Sequence, residues 1–285
     1  MIVEFQVPLW FEVGSLVVLS LVLIADLMLA VWRPHEPSTR ESALWVSFYV
    51  VLALGFAWLM FIVAGAQYGA EFLAGWVTEY SLSIDNLFVF VLILASFNVP
   101  RKYQQQVLMI GILLAIVFRG AFILLGAALI ASFSWIFYVF GAFLVVVGVQ
   151  QFFSGRSDDV ERESKLSAFL SQRLDVVNEY DGLKLRIQHQ GRKAFTPVIV
   201  VLIALGTADV IFAVDSIPAI YGITESPFIV FTANVFALMG LRQLYFLLGH
   251  LIDKLEYLHW GIAFILTFIG LKLVFHALHE NELPF

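Results

Sequence analysis

The chain has 285 residues, a formal net charge of −6 and no cysteine. Hydrophobic residues make up 61% of the chain and charged residues 13%, whereas soluble domains are roughly 45–50% apolar. This composition excludes a soluble globular protein, disulfide bonds and thiolate metal ligands, so we expect the chain to lie in a lipid bilayer with no nucleic-acid partner.

Eight apolar runs have about the 20 residues that a helix needs to cross a hydrocarbon layer of roughly 30 Å. Any one run could be a buried helix of a soluble protein, but eight in series leave no polar remainder able to cover them. We therefore predict an all-α polytopic membrane protein. The predicted spans are residues 9–32, 43–64, 75–97, 107–130, 133–153, 196–220, 227–249 and 258–279.

Basic residues predict the orientation, because the cytoplasmic loops of membrane proteins are enriched in Lys and Arg. Thirteen of the 16 Lys and Arg residues fall in the first, third, fifth and seventh loops, eight of them between Arg156 and Lys193. We expect these loops to be cytoplasmic and both termini to be outside. The remaining three basic residues, Arg119, Arg242 and Lys272, lie within predicted spans.

One acidic pattern occurs twice, in spans three and six. A single Asp at the centre of a membrane helix costs roughly 2.5–3.5 kcal/mol on translocon scales, so four acids at matching places indicate a cation site. Carboxylate, amide and hydroxyl oxygens form a hard ligand set that suits Mg²⁺, Ca²⁺ or Mn²⁺. The candidate metal ligands are Glu79, Asp85 and Asn86 in the first copy and Asp209, Asp215 and Ser216 in the second.

The duplication extends into spans four and seven. Gly111, Arg119 and Gly126 are spaced by 8 and 7 residues, and both intervals recur in Asn234, Arg242 and Gly249. A unit of three helices is odd in number, so its second copy must cross the bilayer in the opposite sense. Spans 3–5 and 6–8 are therefore predicted to form an inverted repeat, an architecture that in transporters places the substrate at the midplane.

The predicted organisation has four parts. Two peripheral N-terminal spans occupy residues 1–64, and the three-helix repeats occupy residues 65–153 and 196–285. Residues 154–195 form a cytoplasmic loop, in which apolar residues from Leu166 to Val177 recur at the spacing of a short amphipathic helix.

Spans three and six are predicted to be broken near Asp85 and Asp215. The two acids of each copy are six residues apart, which places them about 120° out of phase on a regular helix. Pro218 lacks a backbone donor, and Ser81 carries a side chain that competes for backbone groups.

Four further polar residues are expected to support the site: Arg119, Arg242, Asn234 and Asp26. The arginines would orient the carboxylates and supply positive charge when no metal is bound. Asp26 is either a gate or an interfacial residue close to Arg33. The alternative to a cation site is that the acids only neutralise the basic residues of the spans as buried ion pairs, but acids outnumber bases there.

The strings EYSLSIDNLFVF, ADVIFAVDSIPAIYGIT and NVFALMGLRQLYFLLG resemble the TerC family of bacterial integral membrane proteins, particularly its Alx-type members. The resemblance runs from span three to the C-terminus. It implies an inner-membrane location and manganese export, with the family's intramembrane acids at Glu79, Asp85, Asp209 and Asp215. Many relatives have a further Glu at the position of Gly206, and its absence here bears on the ligand count and the metal preference.

The leading hypothesis is a secondary transporter that exports Mn²⁺, with Ca²⁺ as the other candidate, by alternating access. Metal ligands must be deprotonated, so protons could be exchanged for metal. No cofactor other than the transported cation is expected. An enzyme is not expected, because the Gly-x-Gly-Asp and His-Glu-x-x-His motifs of intramembrane and zinc proteases are absent. The alternative is a non-transporting scaffold for membrane-protein assembly or for tellurium or stress resistance.

Overall fold

The computed structural model describes residues 7–32, 38–133, 135–153, 176–177, 180–189, 192–248 and 258–280. These residues are nearly all helical, as predicted. The elements in chain order are α1 Leu9–Trp32, α2 Thr39–Val63, α3 Ala66–Ser96, α4 Arg101–Ser132, α5 Ile136–Phe153, β1 Arg186–His189, β2 Arg192–Phe195, α6 Pro197–Tyr221, α7 Pro227–Leu238, α8 Leu241–Leu248 and α9 Leu258–Glu280.

Six helical segments within the described residues are long and apolar enough to cross a membrane. They are Leu9–Asp26, Thr39–Val63, Ala66–Ser96, Arg101–Ser132, Pro197–Tyr221 and Pro227–Leu247. The apolar parts of α5 and α9, Ile136–Gln150 and Trp260–Phe275, are shorter. The chain is therefore a polytopic membrane protein whose described residues include six long apolar segments, while the count of eight spans stays a prediction.

Serine and proline set the starts of several helices. The Ser38 hydroxyl accepts a hydrogen bond from the amide of Glu41 at 3.2 Å and caps α2. Pro197 and Pro227 stand at the first positions of α6 and α7, where the backbone donor that proline lacks would have no partner in the helix.

Helix α3 contradicts the predicted break near Asp85. It runs without interruption from Ala66 to Ser96. The Ser81 hydroxyl, expected to compete for backbone groups, donates to the carbonyl of Val77 at 2.8 Å. Because this carbonyl lies four residues back, the side chain bonds along the helix and leaves the helix closed.

The predicted break near Asp215 is also wrong. Helix α6 continues through Asp215 and Pro218 and ends at Tyr221. Pro218 costs the helix one backbone hydrogen bond, but it lies in the last turn, where little helix remains to be disturbed. The amide of Gly222 donates to the carbonyl of Pro218 at 3.0 Å and closes the helix end.

The break lies instead in the predicted seventh span, between α7 and α8. Met239 ends α7 with extended backbone, and Gly240 follows with a φ of +85°. A side chain at Gly240 would be strained by this φ, and its Cβ would lie 2.9 Å from the Tyr49 ring. Glycine at this position therefore allows the chain to change direction against α2.

Three helix pairs dominate the packing between the predicted repeats: α3 with α7, α4 with α6, and α5 with α9. Helix α2 packs on α3 and α8. One cluster of buried apolar side chains joins α3, α4, α6 and α8, and it includes Leu87, Leu94, Leu108, Val201, Leu205 and Leu244.

Helices α5 and α9 approach each other through glycine. A Cβ added to Gly270 of α9 would lie 2.8 Å from both the Gly141 carbonyl oxygen and the Val145 amide nitrogen of α5. The opposing atoms belong to backbone, so they cannot move aside as a side chain could. Small residues that admit such close backbone contact are the usual basis of helix association in membranes.

Gly270→Ala is expected to lower the free energy of unfolding by about 1–3 kcal/mol, because the added methyl group must push α5 away. The check is denaturant unfolding of the purified protein in detergent. Gly261→Ala, on the same helix, is the matched control, since its Cβ would meet no atom within 4 Å. The tight α5–α9 contact would be contradicted by equal stability of the two variants.

A two-stranded antiparallel hairpin, β1–β2, precedes α6. The Tyr180 hydroxyl donates to the Phe97 carbonyl at 2.8 Å and ties this loop to the corner between α3 and α4. Burial raises the pKa of Tyr180 to about 12. Most of the predicted amphipathic helix lies outside the described residues, and the Val177 amide donates to the Phe195 carbonyl at 2.9 Å.

Candidate functional site

Arg119 joins an acid from each predicted repeat. Its guanidinium forms an ion pair with Glu79 of α3. Nε and Nη2 each donate to Oδ1 of Asp209 on α6 at 3.2 Å, and Nη1 donates to the Asn234 side-chain oxygen on α7 at 2.9 Å. Arg119 itself lies on α4, so residues of four helices meet at its guanidinium group.

This cluster is almost completely withdrawn from the surface. The exposed fraction is 2% for Arg119, 0% for Glu79 and 2% for Asp209. With all three groups ionised, two carboxylates face one guanidinium and the formal charge of the trio is −1. An uncompensated buried charge is costly, so the trio favours a further positive charge.

Several polar atoms of the predicted site are buried and, among the described residues, have no hydrogen-bond partner. They are Oε2 of Glu79, Oγ of Ser83, Nδ2 of Asn86, Oδ2 of Asp209 and Oγ of Ser216. Buried polar groups are nearly always bonded, and unsatisfied ones commonly mark a place for water or an ion. Four of the five are oxygen atoms that could ligate a hard cation.

A small cavity lies beside Arg119 and Asp209. Its volume is about 10 Å³, and its polar lining comes from Ser83, Asn86, Arg119 and Asp209. This is about the smallest space that holds one water molecule. Apolar residues close the remaining wall, namely Leu87, Phe90, Ile112, Ala115, Leu238 and Leu241.

The four predicted acids do not form a single cluster. Glu79 and Asp209 meet on Arg119, whereas Asp85 and Asp215 are half-buried and lie about 9 Å further along their helices, at 1.5 Å per residue. Among the described residues, no group of three or more His, Asp or Glu is arranged to hold a metal. Glu79 and Asp209 form the inner pair, while metal binding by the full set stays a prediction.

Asp26 and Arg242 form a second polar cluster. Oδ1 of Asp26 on α1 accepts hydrogen bonds from Arg242 at 2.9 Å, Tyr49 at 2.7 Å and Gln243 at 3.4 Å. Tyr49 and Gln243 were not anticipated from the sequence, although Gln243 follows Arg242 directly. Arg33, the alternative neighbour of Asp26, lies outside the described residues.

The ion-pair alternative accounts for part of this arrangement. Arg119 is bound by Glu79 and Asp209, and Arg242 by Asp26. The third basic residue of the spans, Lys272, donates to the carbonyl of Gly222 at 3.0 Å. Acids therefore neutralise the charges of both arginines, but one carboxylate is left in excess at Arg119.

Gly206 is buried in α6 one turn before Asp209. A Cβ there would meet only the Phe118 ring, at 3.6 Å, which is ordinary van der Waals contact. The surroundings of Gly206 therefore leave space for a Cβ atom. The packing does not explain why the residue at this position is glycine.

Comparison with known proteins gives consistent matches. Residues 64–284 match the model of a protein family described as "Integral membrane protein TerC family". An uncharacterised membrane protein of Mycobacterium tuberculosis is 40% identical over 281 residues, which cover 95% of this chain and 71% of the relative. One from Myxococcus xanthus is 38% identical over 269 residues, covering 93% of this chain and 82% of the relative.

A protein of Escherichia coli K12 described as a candidate membrane-bound redox modulator, Alx, is 37% identical over 270 residues. These residues cover 92% of this chain and 84% of that protein. No solved structure matches the chain.

Proposed function

We propose that this chain, which belongs to the TerC family of integral membrane proteins, exports divalent metal cations, Mn²⁺ foremost, across the bacterial inner membrane. The observation that carries the proposal is the meeting of Glu79 and Asp209 at Arg119. Two buried carboxylates face one guanidinium there, beside oxygen atoms that are not otherwise used.

The packing supports an inverted repeat. A two-fold axis that relates α3 to α6, α4 to α7–α8, and α5 to α9 maps the α3–α7 pair onto the α6–α4 pair and the α5–α9 pair onto itself. These are the three dominant pairs between the predicted repeats. Glu79 and Asp209, equivalent in the predicted repeat, both bind Arg119, which agrees with a position close to such an axis.

Arg119 acts in this proposal as a tethered cation. Its guanidinium holds Glu79 and Asp209 in place when no metal is bound and so limits the cost of burying them. A divalent cation would bind the free oxygens of the carboxylates and of Ser83. Hard oxygen ligands of this kind suit Mn²⁺, and also Ca²⁺.

The same geometry supports alternating access. Each predicted repeat supplies one inner acid, so a rocking motion between the repeats would change which side of the membrane reaches the site. Metal ligands must be deprotonated, so proton uptake after metal release would couple export to the proton gradient.

The name of the Escherichia coli relative points to redox balance. This chain contains no cysteine, so it has no thiol chemistry of its own. A redox role would be exerted through the cellular level of a redox-active metal such as manganese. The proposed export is therefore compatible with the description that the relative carries.

Proteoliposomes containing only this protein are expected to transport Mn²⁺, and Asp85→Asn or Asp215→Asn is expected to reduce this flux at equal protein level. Flux is followed with a metal-sensitive dye inside the vesicles. A scaffold would show no flux from the parent protein. Parental flux in both variants would remove Asp85 and Asp215 from the transport site.

A further inference from the structure

The cavity beside Arg119 and Asp209 has room for very little water. Its volume of about 10 Å³ is close to that of a single water-sized sphere. A divalent cation in solution carries a full shell of water molecules, so a hydrated ion does not fit. A cation that binds Asp209 in this cavity therefore gives up nearly all of its water.

The polar side of the cavity replaces only part of that water. Ser83, Asn86 and Asp209 line it, and each has a buried side-chain atom without a hydrogen-bond partner among the described residues. The hydroxyl and the carboxylate offer oxygen directly, and the Asn86 amide offers its oxygen after a half-turn of the group. The fourth polar residue, Arg119, is positively charged and cannot ligate a cation.

The other side of the cavity is apolar. Six of the ten lining residues are apolar, and none of the six is more than 8% exposed. All but Ala115 belong to the buried cluster that joins α3, α4, α6 and α8. They form the apolar wall of the cavity: Leu87, Phe90, Ile112, Ala115, Leu238 and Leu241. The wall supplies no oxygen ligand, so the water that an ion loses on this side is not replaced.

Divalent cations differ in what this loss of water costs them. Mg²⁺ is small, dehydrates reluctantly and demands near-ideal octahedral coordination, so it usually keeps several water molecules in proteins. Mn²⁺ carries the same charge on a larger radius and therefore holds its water less strongly. A site with few oxygens and little water penalises Mg²⁺ more than Mn²⁺, although both ions prefer oxygen ligands.

We propose that the apolar wall makes the central site a filter that rejects Mg²⁺ by forcing the bound cation to dehydrate. The inference rests on the proposed function and adds to it the determinant of ion selectivity. An exporter of Mn²⁺ needs such a filter, because Mg²⁺ is far more abundant in cells and hard oxygen ligands alone accept both ions. Selectivity is then set by side chains that offer no ligand.

The test measures the affinities for Mn²⁺ and for Mg²⁺ separately, by isothermal titration calorimetry of the folded protein in detergent. The parent protein is expected to bind Mn²⁺ about a hundredfold or more tightly than Mg²⁺. Ile112→Ser opens the wall and adds a hydroxyl, so that Mg²⁺ can keep water, and the preference for Mn²⁺ is expected to fall about tenfold. Leu241→Ser makes the same change from α8 and is expected to act likewise.

Leu108→Ser is the matched control. Leu108 lies one turn before Ile112 on α4 and in the same buried cluster, but it lies outside the lining of the cavity. Its substitution also places a hydroxyl in the apolar core. The preference for Mn²⁺ is expected to stay within about threefold of the parent, because the water that a bound ion keeps is unchanged.

Equal affinity of the parent for both ions overturns the filter and leaves the proposed function standing. An unchanged preference in Ile112→Ser and Leu241→Ser also overturns the filter, and so does a fall of the same size in Leu108→Ser, since general loosening of the core would then be the cause. Absence of Mn²⁺ binding by the folded parent overturns the filter and the proposed function together. Should Ile112→Ser fail to fold, Leu241→Ser decides, because Leu241 is the first residue of α8 and serine is favoured at helix starts.

Discussion

Arg119→Gln is expected to lower the free energy of unfolding by about 3–5 kcal/mol, because it breaks a buried ion pair. The parent guanidinium donates to Asp209 and Asn234 and pairs with Glu79. Glutamine carries no charge, so two buried carboxylates would face each other without compensation. The measurement is equilibrium unfolding of the purified protein in detergent.

Two further variants show that charge causes this loss. Arg119→Lys keeps the charge but cannot reproduce the forked contact with several acceptors, so we expect an intermediate loss. Lys272→Gln is the matched control, because it also removes a positive charge from a predicted span. Lys272 is exposed and its ammonium group bonds only to the carbonyl of Gly222 among the described residues, so a loss below about 1 kcal/mol is expected.

Partial rescue gives a second check. Adding Asp209→Asn to Arg119→Gln removes one of the two uncompensated charges, so the double variant is expected to be more stable than Arg119→Gln alone. The account of Arg119 as the central counter-charge would be contradicted by a double variant that is less stable than either single variant.

The membrane character and the inner acids could be predicted because both depend on simple costs. Apolar runs of about 20 residues have few stable places other than a bilayer, and acids within them must be paired or functional. We expected all four acids to form one site, whereas only Glu79 and Asp209 meet at Arg119.

The distribution of partners between the arginines could not be predicted. Sequence spacing makes Arg119 and Arg242 equivalent, but only the fold shows that Asp26 bonds Arg242. Helix α1 is separated from α8 by more than 200 residues, so the contact depends on tertiary packing. No local pattern encodes such a contact.

The predicted position of the helix break was wrong because the helix-breaking residues were weighed without regard to their positions in the helices. Pro218 is a strong helix breaker, but it lies in the final turn of α6. Gly240 is ordinarily tolerated in a membrane helix, and only its contact with Tyr49 and its positive φ show that a side chain would not fit. The break follows from packing against α2.

Glu79→Gln is expected to abolish high-affinity Mn²⁺ binding while leaving the protein folded. The substitution removes the excess negative charge but keeps the ion pair between Arg119 and Asp209. A divalent ion a few ångströms from a carboxylate in a partly dry site loses several kcal/mol of attraction, so affinity should fall about a hundredfold or more. Calorimetric Mn²⁺ titration and denaturant unfolding of the same preparation measure both effects.

Glu71→Gln is the matched control on the same helix. Glu71 is also a carboxylate of α3, but its oxygens accept from Gln67 and Thr224, and it lies about 12 Å along the helix from Glu79 at 1.5 Å per residue. We expect Mn²⁺ affinity within about threefold of the parent, because a charge this far away is largely screened.

The same comparison separates a cation site from ion pairs that only stabilise the fold. If Glu79 served only to neutralise Arg119, Glu79→Gln would weaken the packing of α3 against α4 and leave any Mn²⁺ affinity unchanged. If Glu79 supplies the excess charge of a cation site, stability is kept or raised, because one buried carboxylate too many has been removed, and affinity is lost. The two interpretations predict different results for the free energy of unfolding and for Mn²⁺ affinity. Glu79→Gln, compared with the control Glu71→Gln, therefore decides between them.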